Sequence, residues 1–312
     1  MDDYYLHLPK LKNGIPKFLF QIYIDFSLKK PAKGEIQIQE DKQKPLLWKE
    51  GQDSVKQFCK SQEWTYVCID NNTMNQFIQT HYPEFWDSFW ELPYSIERVD
   101  ILKYLWLHKY GGIYMDMDFI VSKEFSSYVE NLTAPLMVLS SSNMENVITN
   151  SFIVSLSKLE LFYNLSETAL LDKVPIWAIS THLQVMLCSG PLAFTTAIQK
   201  ANIPYVILPH DLFFPNNPIM DDKTEKEYKD YIEKLNVSKK SFLIPIKGGT
   251  WNSLDTNILN TFNKYRILII VISSFLFVVQ IFKSLNFSTK DSVLGLVGIL
   301  AFLCAVAYLS KT

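Results

Sequence analysis

Residues 95–121, SIERVDILKYLWLHKYGGIYMDMDFIV, constrain this chain more than any other stretch. Val99, Leu102 and Trp106 recur at helical spacing, and Ser95, two residues beyond Pro93, is a good N-cap, so a helix facing a core is expected here. Asp100 and Lys103, three apart, share one side of that helix. Gly111 and Gly112 stop it, because glycine alone takes left-handed backbone angles without steric cost. Residues 113–115 then begin a buried strand that Asp116-Met117-Asp118 closes. In extended chain, residues i and i+2 point the same way, so both carboxylates are expected to face one spot. Two converging acids repel unless a cation sits between them. Mn²⁺ and Mg²⁺ take ligands from one or two carboxylates and complete their shell with water and substrate phosphate. Read alone, D-x-D recurs by chance. Its position at the carboxyl end of an apolar strand gives it weight, since open α/β sheets bind ligands there.

The rest of the chain reads as alternating strands and helices. Strands are expected at 18–23, 64–69, 136–139, 150–154, 205–208 and 242–246, and helices at 54–62, 74–90 and 159–171. Residues 29–45 read as a loop, 191–200 as a helix opened by Gly190-Pro191, and 221–235 as a solvated charged helix with no assigned function. Asp70, at the end of the second strand, suits either a nucleotide ribose or the cap of a helix starting near residue 72.

With 312 residues there is room for one large domain plus extras, and a formal charge of −2 gives no basic surface for nucleic acid. Cys59, Cys68, Cys188 and Cys304 lack metal-ligand spacing and read as free thiols, a Cys59–Cys68 bridge being the alternative. Residues 1–14 are polar and charged, an extension without an apolar leader core. Residues 267–282 and 293–309 are apolar on every face and flanked by Lys264, Arg266, Lys283, Lys290 and Lys311. They are expected to form a two-helix transmembrane hairpin over 264–312, a buried soluble pair being the alternative. The flanking charges do not orient it. The polar start favours the cytosol, and Asn-x-Ser/Thr triplets at Asn71, Asn131, Asn164 and Asn236 fit a lumen.

The run Arg98-x-Asp100-x-x-Lys103-Tyr104, then Tyr110-Gly111-Gly112-Ile113-Tyr114-x-Asp116-x-Asp118, resembles the sugar-binding region of the DXD-containing GT-A glycosyltransferases. That family includes the yeast initiating α-1,6-mannosyltransferase and the inositol phosphoceramide mannosyltransferases. The resemblance implies a GT-A fold over residues 15–260, a Rossmann-like mixed sheet flanked by helices. It also implies a nucleotide-diphosphate sugar donor, Mn²⁺ or Mg²⁺ held by Asp116 and Asp118, and retaining hexose transfer. Asp100 would accept from donor sugar hydroxyls, with Lys103 or Arg98 balancing it. Lys103 stands where the family usually has arginine. Ile15-Pro16-Lys17 through Gln21 and Tyr23 is similar to the family's opening strand, whose end meets the base, with tyrosine where tryptophan is common. Asn150 matches an asparagine near the donor phosphate, and Ser189-Gly190-Pro191 a T-G-P turn. Lys247-Gly248-Gly249-Thr250-Trp251 resembles the closing loop, with Lys247, Thr250 and Trp251 toward the donor and Pro245 and Ile246 replacing its histidines. The implied acceptor is a lipid- or protein-linked glycan at an internal membrane of ER or Golgi type. Two other readings compete: a catalytically weakened sugar-nucleotide or glycan-binding membrane protein, and a metal-dependent phosphohydrolase.

Overall fold

The structure is a computed structural model that describes residues 2–32, 34–37, 46–141, 144, 146–171, 180–213, 230, 233 and 241–246. In chain order these form α1 (Asp2–Leu6), β1 (Phe18–Ile22), α2 (Leu46–Ser61), β2 (Thr65–Ile69), α3 (Asn71–His81), α4 (Trp86–Glu91) and α5 (Ser95–Tyr110). There follow β3 (Gly112–Met115), β4 (Phe119–Val121), α6 (Ser126–Glu130), β5 (Leu136–Ser140), β6 (Ile148–Ser155) and α7 (Glu160–Leu171). The described part closes with α8 (Thr181–Cys188), α9 (Pro191–Ala201), β7 (Tyr205–Ile207), α10 (His210–Phe213) and β8 (Leu243–Pro245).

Six strands make one mixed sheet in the order β2-β1-β3-β6-β5-β7, and β4 and β8 pair antiparallel in a small second sheet. β1 runs parallel to both β2 and β3, whereas β6 is antiparallel to β3. The carboxyl ends of β1, β2 and β3 and the amino end of β6 therefore share one edge. Strand alternation divides the core. Phe18, Phe20 and Tyr114 pack beneath α3, α5, α7 and α9, while Leu19, Ile113 and Met115 pack against α2, α6 and α10. Gly111 and Gly112 have positive φ, and a Cβ on Gly112 would stand 2.6 Å from the Phe18 carbonyl oxygen. Glycine is required there by close approach as well as by backbone angle.

Several expectations change in detail. The N-cap of α5 is Tyr94, not Ser95, because Glu97 accepts from the Tyr94 amide (3.3 Å) and the Ser95 hydroxyl accepts from Arg98 Nη2 (2.6 Å). The single helix expected over 74–90 breaks into α3, a 3₁₀ turn at Pro83–Phe85 and α4, since proline lacks the amide that would continue α3. Side chains between residues 5 and 11 pack onto the domain. Leu8 and Leu11 are buried, and Tyr5 meets Phe18, Trp106 and Tyr110. Among the described residues Cys59, Cys68 and Cys188 form no disulfide. Among the described residues no helix is long and apolar enough to cross a membrane. The runs at 267–282 and 293–309, Cys304, and all of 221–235 except residues 230 and 233 lie outside them.

Candidate active site

The DXD triplet is a turn, not the end of a strand. Asp116 still donates its amide to the Ser151 carbonyl (2.8 Å), prolonging the β3–β6 ladder. The chain then leaves the large sheet, and the Asp118 carbonyl accepts from Ile246 (2.8 Å), prolonging the β4–β8 pair. A chain that changes sheets between Asp116 and Asp118 cannot stay extended, so the pleat does not align the two acids. The turn is clamped from behind by α2. A Cβ on Gly51 would lie 2.6 Å from the Phe119 carbonyl oxygen and 3.0 Å from that of Met117. Gln21 Nε2 donates to the Asp116 carbonyl (3.1 Å), and Gln21 Oε1 accepts from the Tyr66 hydroxyl (3.0 Å).

Lys103 is the centre of the charge arrangement. Its Nζ lies 2.9 Å from Asp100 Oδ1 and 3.9 Å from Asp116 Oδ1, donates to the Asn150 carbonyl at 3.2 Å, and sits 4.6 Å over the Tyr114 ring. Asp100 also accepts from Asn150 Nδ2 (2.9 Å) and from the Ser189 hydroxyl (2.8 Å). Tyr104 joins the same group, accepting from Asn150 Nδ2 (2.8 Å) and donating to the Ser189 carbonyl (2.7 Å). The Tyr114 hydroxyl donates to Asp116 Oδ1 in a short hydrogen bond.

Three acidic side chains, Asp100, Asp116 and Asp118, share this corner with one ammonium. Burial raises Asp116 above the usual carboxylate range, against the pull of Lys103 and Tyr114. Burial, followed by the neighbouring Asp116 charge, pushes Asp118 up to about 8. Asp118 Oδ1 is buried and has no hydrogen-bond partner. A buried carboxylate oxygen normally has a donor or a cation. An orphaned hard oxygen beside a second acid fits Mn²⁺ or Mg²⁺, which need few protein ligands. Among the described residues no set of three His, Cys, Asp or Glu side chains converges as a closed metal cage.

Asp100, Lys103, Asn150 and Asp116 are thus brought together, with Asp118 next to them along the turn. Tyr23 follows β1 at the same edge, its ring edge-on to Trp48 at 6.4 Å. Asp70 takes the capping alternative, accepting from the Thr73 amide at 2.8 Å. Arg98 is buried, donates to Ser95 and lies 5.0 Å over Trp90 rather than meeting Asp100 or Asp116. Lys247, Thr250 and Trp251 lie outside the described residues. Sequence reasoning gave no site role to Tyr114, Tyr104, Tyr66, Gly51 or Trp48. The spacing of Tyr114 two residues before Asp116 was the one available signal.

Residues 45–139 match the family described as "Glycosyltransferase sugar-binding region containing DXD motif". Inositol phosphoceramide mannosyltransferase 3 of Schizosaccharomyces pombe is 45% identical over 56 residues, 18% of this chain and 16% of that protein. Mannosyl phosphorylinositol ceramide synthase SUR1 of Saccharomyces cerevisiae is 27% identical over 239 residues, 75% of this chain and 54% of that protein. The chain thus spans about half the length of this longer-matching relative. A solved glycosyltransferase involved in glycosylating the PBCV-1 major capsid is 12% identical, with a TM-score of 0.42 over 75% of this chain and 95% of that one, too loose a likeness to argue from.

Proposed function

We propose that this chain is a metal-dependent hexosyltransferase of GT-A type using a nucleotide-diphosphate sugar, a reading supported by the match of residues 45–139 to the DXD-containing sugar-binding region of glycosyltransferases. The observation that carries the reading is Asp118 Oδ1, buried and unpartnered beside Asp116. Asp116 and Asp118 hold the divalent ion, which when bound neutralises charge on the departing diphosphate. Tyr114 fixes the rotamer of Asp116 through its hydroxyl. Asp100 accepts from hydroxyls of the donor sugar, and Lys103, Asn150 and Ser189 hold its two oxygens in place. Tyr23, with Trp48 against it, offers an aromatic surface for the base at the end of β1. Gln21 sets the backbone of the DXD turn.

Asp100 has both carboxylate oxygens engaged by Lys103, Asn150 and Ser189, which supports a retaining transfer in which the leaving phosphate receives the acceptor's proton. The names of the relatives suggest mannose and an inositol phosphoceramide acceptor. The apolar runs at 267–282 and 293–309 would hold the domain at an internal membrane, where such a lipid lies. A binding-only protein loses one of its arguments here, since Lys103 engages both Asp100 and Asp116 in spite of replacing arginine.

The test is metal-dependent hydrolysis and transfer by the detergent-solubilised chain across a panel of GDP- and UDP-sugars. Asp116→Ala and Asp118→Ala are each expected to lose about 10²–10³-fold in turnover or more, as for other preorganised charge contacts. Their thermal stability should stay near that of the parent. Turnover at the parental rate in either variant rejects the assignment, and donor binding without turnover in the parent selects the binding protein.

A further inference from the structure

The Asp116 carbonyl ends a chain of side-chain hydrogen bonds that begins on α2. Gln52 Nε2 donates to the Tyr66 hydroxyl oxygen (2.9 Å), the Tyr66 hydroxyl donates to Gln21 Oε1 (3.0 Å), and Gln21 Nε2 donates to the Asp116 carbonyl (3.1 Å). Strand pairing makes the reach possible. Tyr66 lies opposite Leu19 in the parallel β1–β2 register, and residues 19 and 21 of β1 share the face turned to α2. Gln21 is fully buried and Gln52 nearly so.

The chain has a direction, because each link fixes the next. A glutamine amide can turn over and exchange its oxygen with its nitrogen at almost no cost in shape. Turned over, Gln21 would set its oxygen against the Asp116 carbonyl oxygen, two acceptors with no proton between them. The Tyr66 proton on Oε1 prevents this. Tyr66 in turn sends its proton to Gln21 because Gln52 donates to its oxygen. Burial, with Cys68 beside it, keeps that phenol protonated through the neutral range.

The peptide groups of the DXD turn are held from different places. Ser151 on β6 holds the Asp116 amide, and the Ile246 amide holds the Asp118 carbonyl. The Met117 carbonyl lies against α2 at Gly51. The peptide joining Asp116 to Met117 is held by Gln21, and its plane sets how Asp116 stands relative to Asp118. We infer that Tyr66 and Gln52 are positioning residues, which through Gln21 fix that peptide and with it the spacing of the two acids toward a divalent ion. The inference rests on the reading of Asp116 and Asp118 as the metal-holding pair. It makes α2 a support for the turn twice over, by backbone contact at Gly51 and through this relay at Gln52.

Tyr66→Phe and Gln52→Leu in the full chain test it, with Tyr82→Phe as the control. Tyr82 is buried, and its hydroxyl donates to the Leu105 carbonyl (3.1 Å) in the core. Mn²⁺ binding, followed by the paramagnetic resonance of the free ion, should weaken about fivefold in each relay variant, the size of one lost hydrogen bond. The double variant should be no weaker than the weaker single, because the links act in series. Donor hydrolysis should need about fivefold more Mn²⁺ for half its maximum, with turnover at saturating metal near that of the parent. Tyr82→Phe should lose stability and keep the parental affinity. Without metal, amide exchange at Met117 and Asp118 should quicken in the relay variants and not in the control. Unchanged exchange in Tyr66→Phe, additive losses in the double variant, or an equal loss of affinity in Tyr82→Phe overturns the proposal. A parent that binds no Mn²⁺ rejects the transferase reading, and the exchange comparison then still decides whether the relay holds the turn. A parent that binds and turns over, matched in affinity by Tyr66→Phe, rejects the relay alone.

Discussion

Lys103 Nζ stands 2.9 Å from Asp100 Oδ1 in an ion pair whose side chains are only 3% and 7% exposed. Such a pair does little for stability as a whole, because its desolvation cost offsets its attraction, but removing one partner strands the other. Lys103→Met should therefore cost about 3–5 kcal/mol, read by urea denaturation. Lys103→Arg keeps the charge but must fit a planar fork among Tyr114, Asn150 and two acids. It should fall between parent and Met. A loss in Lys103→Met below about 1 kcal/mol, the range of exposed pairs, would mean that Asp100 is not held this way.

Tyr114→Phe removes the hydroxyl that donates to Asp116 and leaves the ring beneath Lys103. Stability should drop by on the order of 1 kcal/mol. The larger effect should be a raised metal concentration for half-maximal turnover, since Asp116 gains rotational freedom. An unchanged metal dependence would separate Tyr114 from the metal-holding acid.

Gly51→Ala tests the clamp behind the DXD turn. The added methyl would meet two carbonyl oxygens at 2.6 and 3.0 Å, and both belong to the turn and its exit. Overpacking of this kind costs about 1–3 kcal/mol. Here the accommodation must come from the turn itself, so activity should fall further than stability does. Donor hydrolysis at the parental rate would show that α2 yields instead.

Glu97 gives the fold a pH dependence away from the acids of the turn. Burial raises its carboxyl to about 7, opposed by the hydrogen bond from Tyr94 and raised further by Asp100. A carboxyl with a raised folded pKa holds its proton more tightly folded than unfolded. Its contribution is full below the unfolded pKa of 4.5 and is lost as pH rises through about 7. Melting temperature should fall between pH 5 and pH 8 by an amount equivalent to on the order of 3 kcal/mol at most. Glu97→Gln should make that limb shallower by Glu97's share, with Asp116 and Asp118 keeping the rest, and an identical profile in the variant would assign the dependence to those acids.

The sequence exposed those parts of the fold that depend on local pattern. The strand at Phe18–Ile22 and the helix–glycine–strand passage from Ser95 to Met115 follow from apolar spacing and from glycines that no other residue can replace. The break at Pro83 was equally written there but was obscured by the aromatic run around it. What could not be read was set by distant partners. Whether Asp116 and Asp118 lie on a strand or a turn depends on residues 151 and 246, which draw the chain into different sheets. Lys103, an ambiguous departure from arginine in one dimension, acquires its role only when Asn150 and Tyr114 fold against it.

The antiparallel course of β6 has one more effect. β6 pairs with β3 from Gly112–Ser155 to Met115–Phe152 and with β5 as far as Ser140–Ile148, so Asn150 arrives beside Asp100 on a strand already tied to a neighbour before it reaches β3. The connection preceding that strand can lengthen, shorten or change composition without displacing the amide it delivers. Changes in that connection are therefore mechanically decoupled from the Asn150–Asp100 contact at the floor of the site.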